Sequence, residues 1–198
     1  MASGQAGAQD TRARVLEAAG QLFRRKGYTG TGLKQIAAES HAPFGSIYHF
    51  FPGGKEQLAD DVIRVSGPEY GQLVMSLLDS VPDPIEALGF AFRMAAEQLA
   101  ATDYEDACPI ATIALEVAST NEKLRIATSD VFDAWITGAT AWFGRFVPDQ
   151  ERAKTLAYAM ISMLEGAFVL ARAARSGEPL LAAGRSIADL ARAAMDAD

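Results

Sequence analysis

A chain of 198 residues, 49% of them hydrophobic, is long enough for one or two domains and apolar enough to bury a core, which excludes a disordered protein. One cysteine and two histidines exclude an internal disulfide and offer no cluster at zinc-ligand spacing, so neither a metal nor a redox cofactor is expected. The net charge of −7 argues against a nucleic-acid partner only until it is divided: residues 1–55 hold seven Lys/Arg against three acids, a balance of +4, and the remainder carries −11.

The first ten residues have no basic start or apolar stretch, so no secretory signal is expected. Val15, Leu16, Ala19, Leu22 and Phe23 form the stripe of an amphipathic helix from Asp10 to Lys26. Arg24, Arg25 and Lys26 suit the dipole at its end, and Gly27 follows where a left-handed backbone is favoured. Thr31 can cap a short second helix whose inward face is Leu33, Ile36 and Ala37. After the turn "SHAP", Pro43 at a first helical position opens a third helix reaching Phe50 or Phe51. On it Ile47 and Phe51 point inward while Phe44, Ser46 and His49 look outward. Helix, short helix, turn and short helix with an exposed polar-aromatic face is the outline of a helix-turn-helix, whose last helix enters the major groove of DNA.

The run "TGLKQIAAESHAPFGSIYHFFPGGKEQLADDVI", residues 31–63, resembles the DNA-binding signature of the TetR family of bacterial transcription regulators. Its double-glycine "FPGGKEQL" and the later "CPIATIALEVA", residues 108–118, are similar to the LmrA/YxaF-like branch. The resemblance implies an all-α fold, with a three-helix DNA-binding domain over 8–55 and a larger helical ligand-binding and dimerisation domain over 56–198. It implies DNA contacts from Thr31, Lys34, Phe44, Gly45, Ser46, Tyr48, His49 and Lys55. Thr31 and Lys55 match positions that contact phosphate, which suits a hydroxyl and an ammonium facing an anion, and Tyr48 can donate its hydroxyl to a phosphate. Two departures stand out. Phe44 occupies a position where many relatives have lysine, so its ring either touches a thymine methyl or packs on the first helix. His41 replaces the glycine usual in the turn, where a positive φ would be uncomfortable but not forbidden.

Beyond residue 55 the prolines mark joints. "SGPE" at 66–69 predicts a kink or break at Pro68 in a fourth helix that begins near Lys55. "DPIE" at 83–86 supplies a cap, a first-position proline and a glutamate three after the cap, so a helix runs to Ala101. Pro109 and Pro148 open later helices in the same way. Two acids interrupt apolar runs, Glu116 in "IALEVA" and Glu165 in "ISMLEGAF". Each either faces a cavity, favouring a cationic or hydrogen-bond-donating ligand, or sits on a solvated face or against an arginine. With the ligand cavity that the resemblance implies, Phe90, Met94, Glu116, Trp135, Trp142, Met163 and Glu165 are the candidate lining. Leu156 to Ala171, the longest nearly apolar run, has 16 residues and carries Glu165, so no membrane span is expected. The last two helices, about 149–195, carry Ala159, Gly166, Ala167, Ala171 and Ala174 as a small-residue face. In the family these helices make the homodimer.

No "GK[ST]", "GxSxG" or "HExxH" occurs, so no enzyme is expected. The expected function is a cytoplasmic, homodimeric regulator of double-stranded operator DNA, released as a repressor by a small-molecule effector. The alternatives are a helical small-molecule-binding protein, or a dimeric interaction module whose helix-turn-helix reads no DNA.

Overall fold

The computed structural model describes residues 2–196. Among the described residues the order is α1 (Ala2–Lys26), α2 (Leu33–Glu39), α3 (Phe44–Phe50), α4 (Gly54–Asp79), α5 (Pro84–Ala101), α6 (Pro109–Val117), α7 (Glu122–Phe143), α8 (Gln150–Ala174) and α9 (Glu178–Met195). The chain forms two compact units, Met1–Gly67 with Pro109–Val131 and Pro68–Cys108 with Phe132–Asp198.

In the first unit the α1 stripe Val15, Ala19, Leu22 and Phe23 is buried, as are Ile36 of α2, Ile47 and Phe51, and Leu58 and Ile63 of α4. Fully burying such a side chain contributes about 1.5–3 kcal/mol, so the loss of any one large member of this set would be felt. Gly27 ends α1 with φ +76°, and its N–H donates to Phe23 O at 3.0 Å. The cap of α2 differs from expectation: Gly32 holds that position, and the buried Thr31 hydroxyl donates to Gly27 O at 2.7 Å and more weakly to Leu22 O at 3.3 Å. The hydroxyl proton thus goes to carbonyls at the end of α1, and α2 starts without a side-chain cap. His41 adopts φ +50°, the left-handed turn that glycine would take more easily. Pro43 caps α3 from just outside rather than from its first turn, and its carbonyl accepts from Ser46 N at 2.8 Å. Arg12 pairs with Asp61 at 2.8 Å and lies 5.1 Å over the Phe51 ring, while Arg14 donates to Ser40 O at 3.0 Å. These contacts lock the short helices to α1.

In the second unit, α5, α8 and α9 build one core around Leu88, Phe92, Leu99, Met160, Leu164, Phe168, Leu180 and Ile187. Gly184 allows the α5–α9 approach, because a Cβ there would lie 2.7 Å from Phe92 Cβ. Asp83 accepts from Glu86 N at 2.8 Å and starts α5 where the sequence indicates. Asp149, with Pro148 directly before it, caps α8 by accepting from Glu151 N and Arg152 N. α4 runs on through Pro68 without a break in its helical span. α8 is long and apolar enough to cross a membrane by length and composition alone. Its Ala153, Leu156, Met160, Leu164, Ala167, Phe168 and Ala171 are instead buried in this core.

Candidate nucleic-acid interface and ligand cavity

The face that α3 turns away from the core is built of polar and aromatic groups. Ile47 and Phe51 are wholly buried, whereas Phe44 is 43% and Tyr48 51% exposed, with their rings in edge contact at 5.8 Å. Phe44 thus rests edge-on against Tyr48 with part of its surface open to solvent. Gly45 and His49 are exposed, Ser46 is half-buried, and a Cβ at Gly45 would meet nothing within 4 Å. Lys34 stands exposed on α2. Lys55, at the start of α4, places its ammonium 4.4 Å over the Tyr28 ring. Partial burial pushes its pKa below the ordinary lysine range, opposed by the nearby Glu116 carboxylate. Glu116 itself, on α6, accepts from Tyr28 N at 3.0 Å and Thr29 N at 2.7 Å. It thereby fixes the turn between α1 and α2, and a Cβ on Gly27 would collide with its carboxylate.

In the second unit a cavity of about 540 Å³ lies among α4, α7 and α8. Tyr70 and Trp135, with ring centroids 5.5 Å apart, join Met75, Met160 and Leu164 in a largely apolar lining. Glu165 interrupts it. Its Oε1 is shut from solvent without a hydrogen-bond partner, and burial raises its pKa to about 7, although a hydrogen bond from Cys108 works in the opposite direction. Burial also lifts the Tyr70 hydroxyl well above the ordinary tyrosine range, with the nearby Cys108 and Glu165 adding to it.

Residues 84–186 match the family model described as "Transcriptional regulator LmrA/YxaF-like, C-terminal domain", and residues 15–62 match "Bacterial regulatory proteins, tetR family". The chain belongs to the TetR family of transcriptional regulators. It is 35% identical over 187 residues to the uncharacterized HTH-type transcriptional regulator YxaF of Bacillus subtilis (strain 168), spanning 92% of this chain and 96% of that one. To the HTH-type transcriptional regulator LmrA of the same organism it is 33% identical over 181 residues, 91% and 96% of the two chains. Among solved structures, the regulatory protein TetR from Rhodobacter sphaeroides superposes with a TM-score of 0.82 at 22% identity, covering 91% of this chain and 98% of that one. A TetR transcriptional regulator from Chloroflexus aurantiacus J-10-FL gives 0.79 at 28% identity, with 92% and 94% covered.

In this TetR-family chain, α2 and α3 with their intervening turn are the helix-turn-helix. Lys34 on α2 and Phe44, Gly45, Tyr48 and His49 on α3 are exposed, and Ser46 is half-buried. Thr31 is buried, its hydroxyl being committed to the end of α1. Of the candidate cavity residues, Trp135 and Glu165 line the cavity. Trp142 is buried in the core against Phe143 and Phe146, at ring distances of 5.1 and 4.8 Å. Met163 lines a separate groove between α8 and α9. Phe90 carries Arg93 over its ring at 5.4 Å and, like Met94, is outside the cavity lining, and Glu116 belongs to the turn after α1. Sequence reasoning missed Tyr70 and gave Cys108 no role beside Glu165. The available signal was Tyr70's position two residues past Pro68, in the helix that enters the second unit there.

Proposed function

We propose that this TetR-family protein is a cytoplasmic homodimer that represses transcription from a near-palindromic operator and is released by a small organic effector. The observation that carries this is the two-sided α3: Ile47 anchored in the core, Phe44, Tyr48 and His49 presented outward. Two copies of such a helix, held about 34–36 Å apart, read successive major grooves. Tyr48 donates its hydroxyl to phosphate, Lys34 and Lys55 supply cationic phosphate contacts, and Phe44 meets a thymine methyl. Thr31 positions α2 without touching DNA.

For dimerisation the support is α8 and α9. Val169 and Leu170 are 57% and 62% exposed, next to an apolar groove that includes Gly166, Ala167 and Ala174. For effector binding the support is the cavity around Tyr70, Trp135 and Glu165. Cys108, hydrogen-bonded to Glu165, immediately precedes Pro109, the first residue of α6, and Glu116 of that helix holds the turn after α1. Occupancy of the cavity would thus act along the chain on the conformer that reads DNA, favouring one whose α3 helices no longer match two grooves.

Selection of genomic fragments bound by the purified protein tests the reading. An enriched motif with twofold symmetry and half-sites one helical turn apart is expected. Fragments without a common motif, bound no better than bulk DNA, would contradict it.

A further inference from the structure

Glu165 poses a chemical problem that its surroundings leave unsolved. Its Oε1 is out of contact with water and has no hydrogen-bond partner. A buried acceptor without a donor is costly, and a carboxylate more so. The surrounding wall is mostly rings, thioethers and aliphatic groups, among them Tyr70 and Trp135 5.5 Å apart, Met75 and Met160, with Gln72, Ser76 and Asp79 as its other polar side chains. At about 540 Å³ the space suits a ligand of several fused rings.

We propose that this cavity takes a flat aromatic molecule carrying a protonated nitrogen, with the ligand N–H donating to the Glu165 carboxylate and its rings against Tyr70 and Trp135. This rests on the reading that an effector enters here. Aromatic faces favour a cation through their negative quadrupole, and the carboxylate fixes where the charge lies. The second unit holds 16 Asp/Glu against eight Lys/Arg, a net −8, which draws cations to it and adds nothing for an anionic ligand.

The groups that bear on Glu165 are few. From α4 come Tyr70 and Asp79, the latter paired with Arg145 at 2.7 Å, and from the segment before α6 comes the Cys108 thiol. α7 lines the cavity with Ala134, Trp135, Gly138 and Ala139, none of which ionises near neutrality. Glu165 is thus the group that changes charge around pH 7, and binding of a cation releases its proton in acid solution.

The test compares 9-aminoacridine, a ring-shaped cation throughout the range used, with acridine, its near-isostere that is neutral in mild base. Titration calorimetry on the full chain without DNA should show 9-aminoacridine tightening about tenfold from about pH 6 to about pH 8, as a carboxyl with pKa about 7 ionises. E165Q should weaken 9-aminoacridine at least about tenfold at the higher pH and flatten the pH profile. Acridine at that pH should bind more weakly and respond to E165Q by less than about twofold. Equal affinity for the two probes, a flat profile in the parent, or no binding of either would overturn the proposal. Should E165Q lose its helical circular dichroism, the parent's pH profile and the probe comparison decide without it. A separate DNA-release assay keeps the two readings apart. If 9-aminoacridine binds in the expected pattern but leaves operator DNA bound, the cation site stands and the effector reading falls. If a neutral aromatic binds in the cavity and releases DNA equally well from parent and E165Q, the regulator stands and the cation site falls.

Discussion

Gly27 and Glu116 are 89 positions apart in sequence yet occupy one small volume, and their coupling can be measured. E116A removes the acceptor of two backbone hydrogen bonds, from Tyr28 N at 3.0 Å and Thr29 N at 2.7 Å. Hydrogen bonds to a charged group contribute about 1.5–3 kcal/mol each, but Thr29 lies at the surface where water can replace the acceptor, so a total near 2 kcal/mol is expected. G27A has two costs. Alanine at φ +76° loses about 1 kcal/mol, and its Cβ would overlap Glu116 Oε1, expelling the carboxylate and with it the same two hydrogen bonds. The single G27A should therefore cost about 3 kcal/mol, combining both effects. Once Glu116 is gone there is nothing to collide with, so the double variant should also cost about 3 kcal/mol rather than about 5, a coupling near 2 kcal/mol. Urea denaturation of the four proteins by circular dichroism measures the cycle, and hydrogen exchange at Tyr28 and Thr29 locates it. Costs that add to within about 0.5 kcal/mol would refute the reasoning, because independent sites behave that way.

Further substitutions probe the other parts. E165Q should stabilise the protein in base and not in acid: the carboxyl is held near 7 in the folded chain against an ordinary 4.5, so it contributes stability that is full below about 4.5 and lost as pH rises through 7. The gap is worth at most about 3 kcal/mol, and thermal melts should show E165Q above the parent near pH 8, with the difference shrinking below about 1 kcal/mol near pH 5; an equal gain at both would contradict it. F44A should change stability by under about 0.5 kcal/mol because the ring is 43% exposed, while lowering operator affinity; a loss of several kcal/mol in stability would mean the ring packs as core. K55A should flatten the dependence of log K on log salt by about 0.9, one phosphate's share, and an unchanged slope would show no such contact. L170D, on the exposed face of α8, should leave secondary structure intact while sedimentation shows monomers; an unchanged dimer would move the interface elsewhere.

The parts of the fold that rest on local rules were legible in the sequence. Asp83, Pro84 and Glu86 mark where α5 begins because cap and first turn are neighbours in the chain, and Gly27 marks the end of α1 for the same reason. The inward positions of α3 follow from helical spacing, and Ile47 and Phe51 are both fully buried. Thr31 shows where such rules stop. A hydroxyl at a helix junction has two sets of backbone partners, and the choice of Gly27 O depends on how the chain folds back after α1. Glu116 is an even clearer case, since its partners lie 87 and 88 residues away. Nothing in "IALEVA" distinguishes a carboxylate that seals a turn from one that lines a cavity. Aromatic content likewise carries no direction: Trp135 and Trp142 both lie on α7, but only the first faces the cavity while the second is buried against Phe143 and Phe146. The unit that contains α1 to α3 also takes in Pro109–Val131, a segment that returns to it after α5, and no shift in composition announces such a return.

If the exposed face of α3 reads DNA, equilibrium binding across a salt series will show it. Fluorescence anisotropy would compare the DNA flanking the protein's own coding region and fragments enriched by selection with scrambled DNA of equal length. Tighter binding to at least one of these sites than to scrambled DNA is expected, with log K falling by about 0.9 for each phosphate neutralised as log salt rises. Y48F is expected to weaken binding to every sequence by removing a phosphate contact. Equal, weak binding to all of these DNAs, unaffected by Y48F, would contradict it.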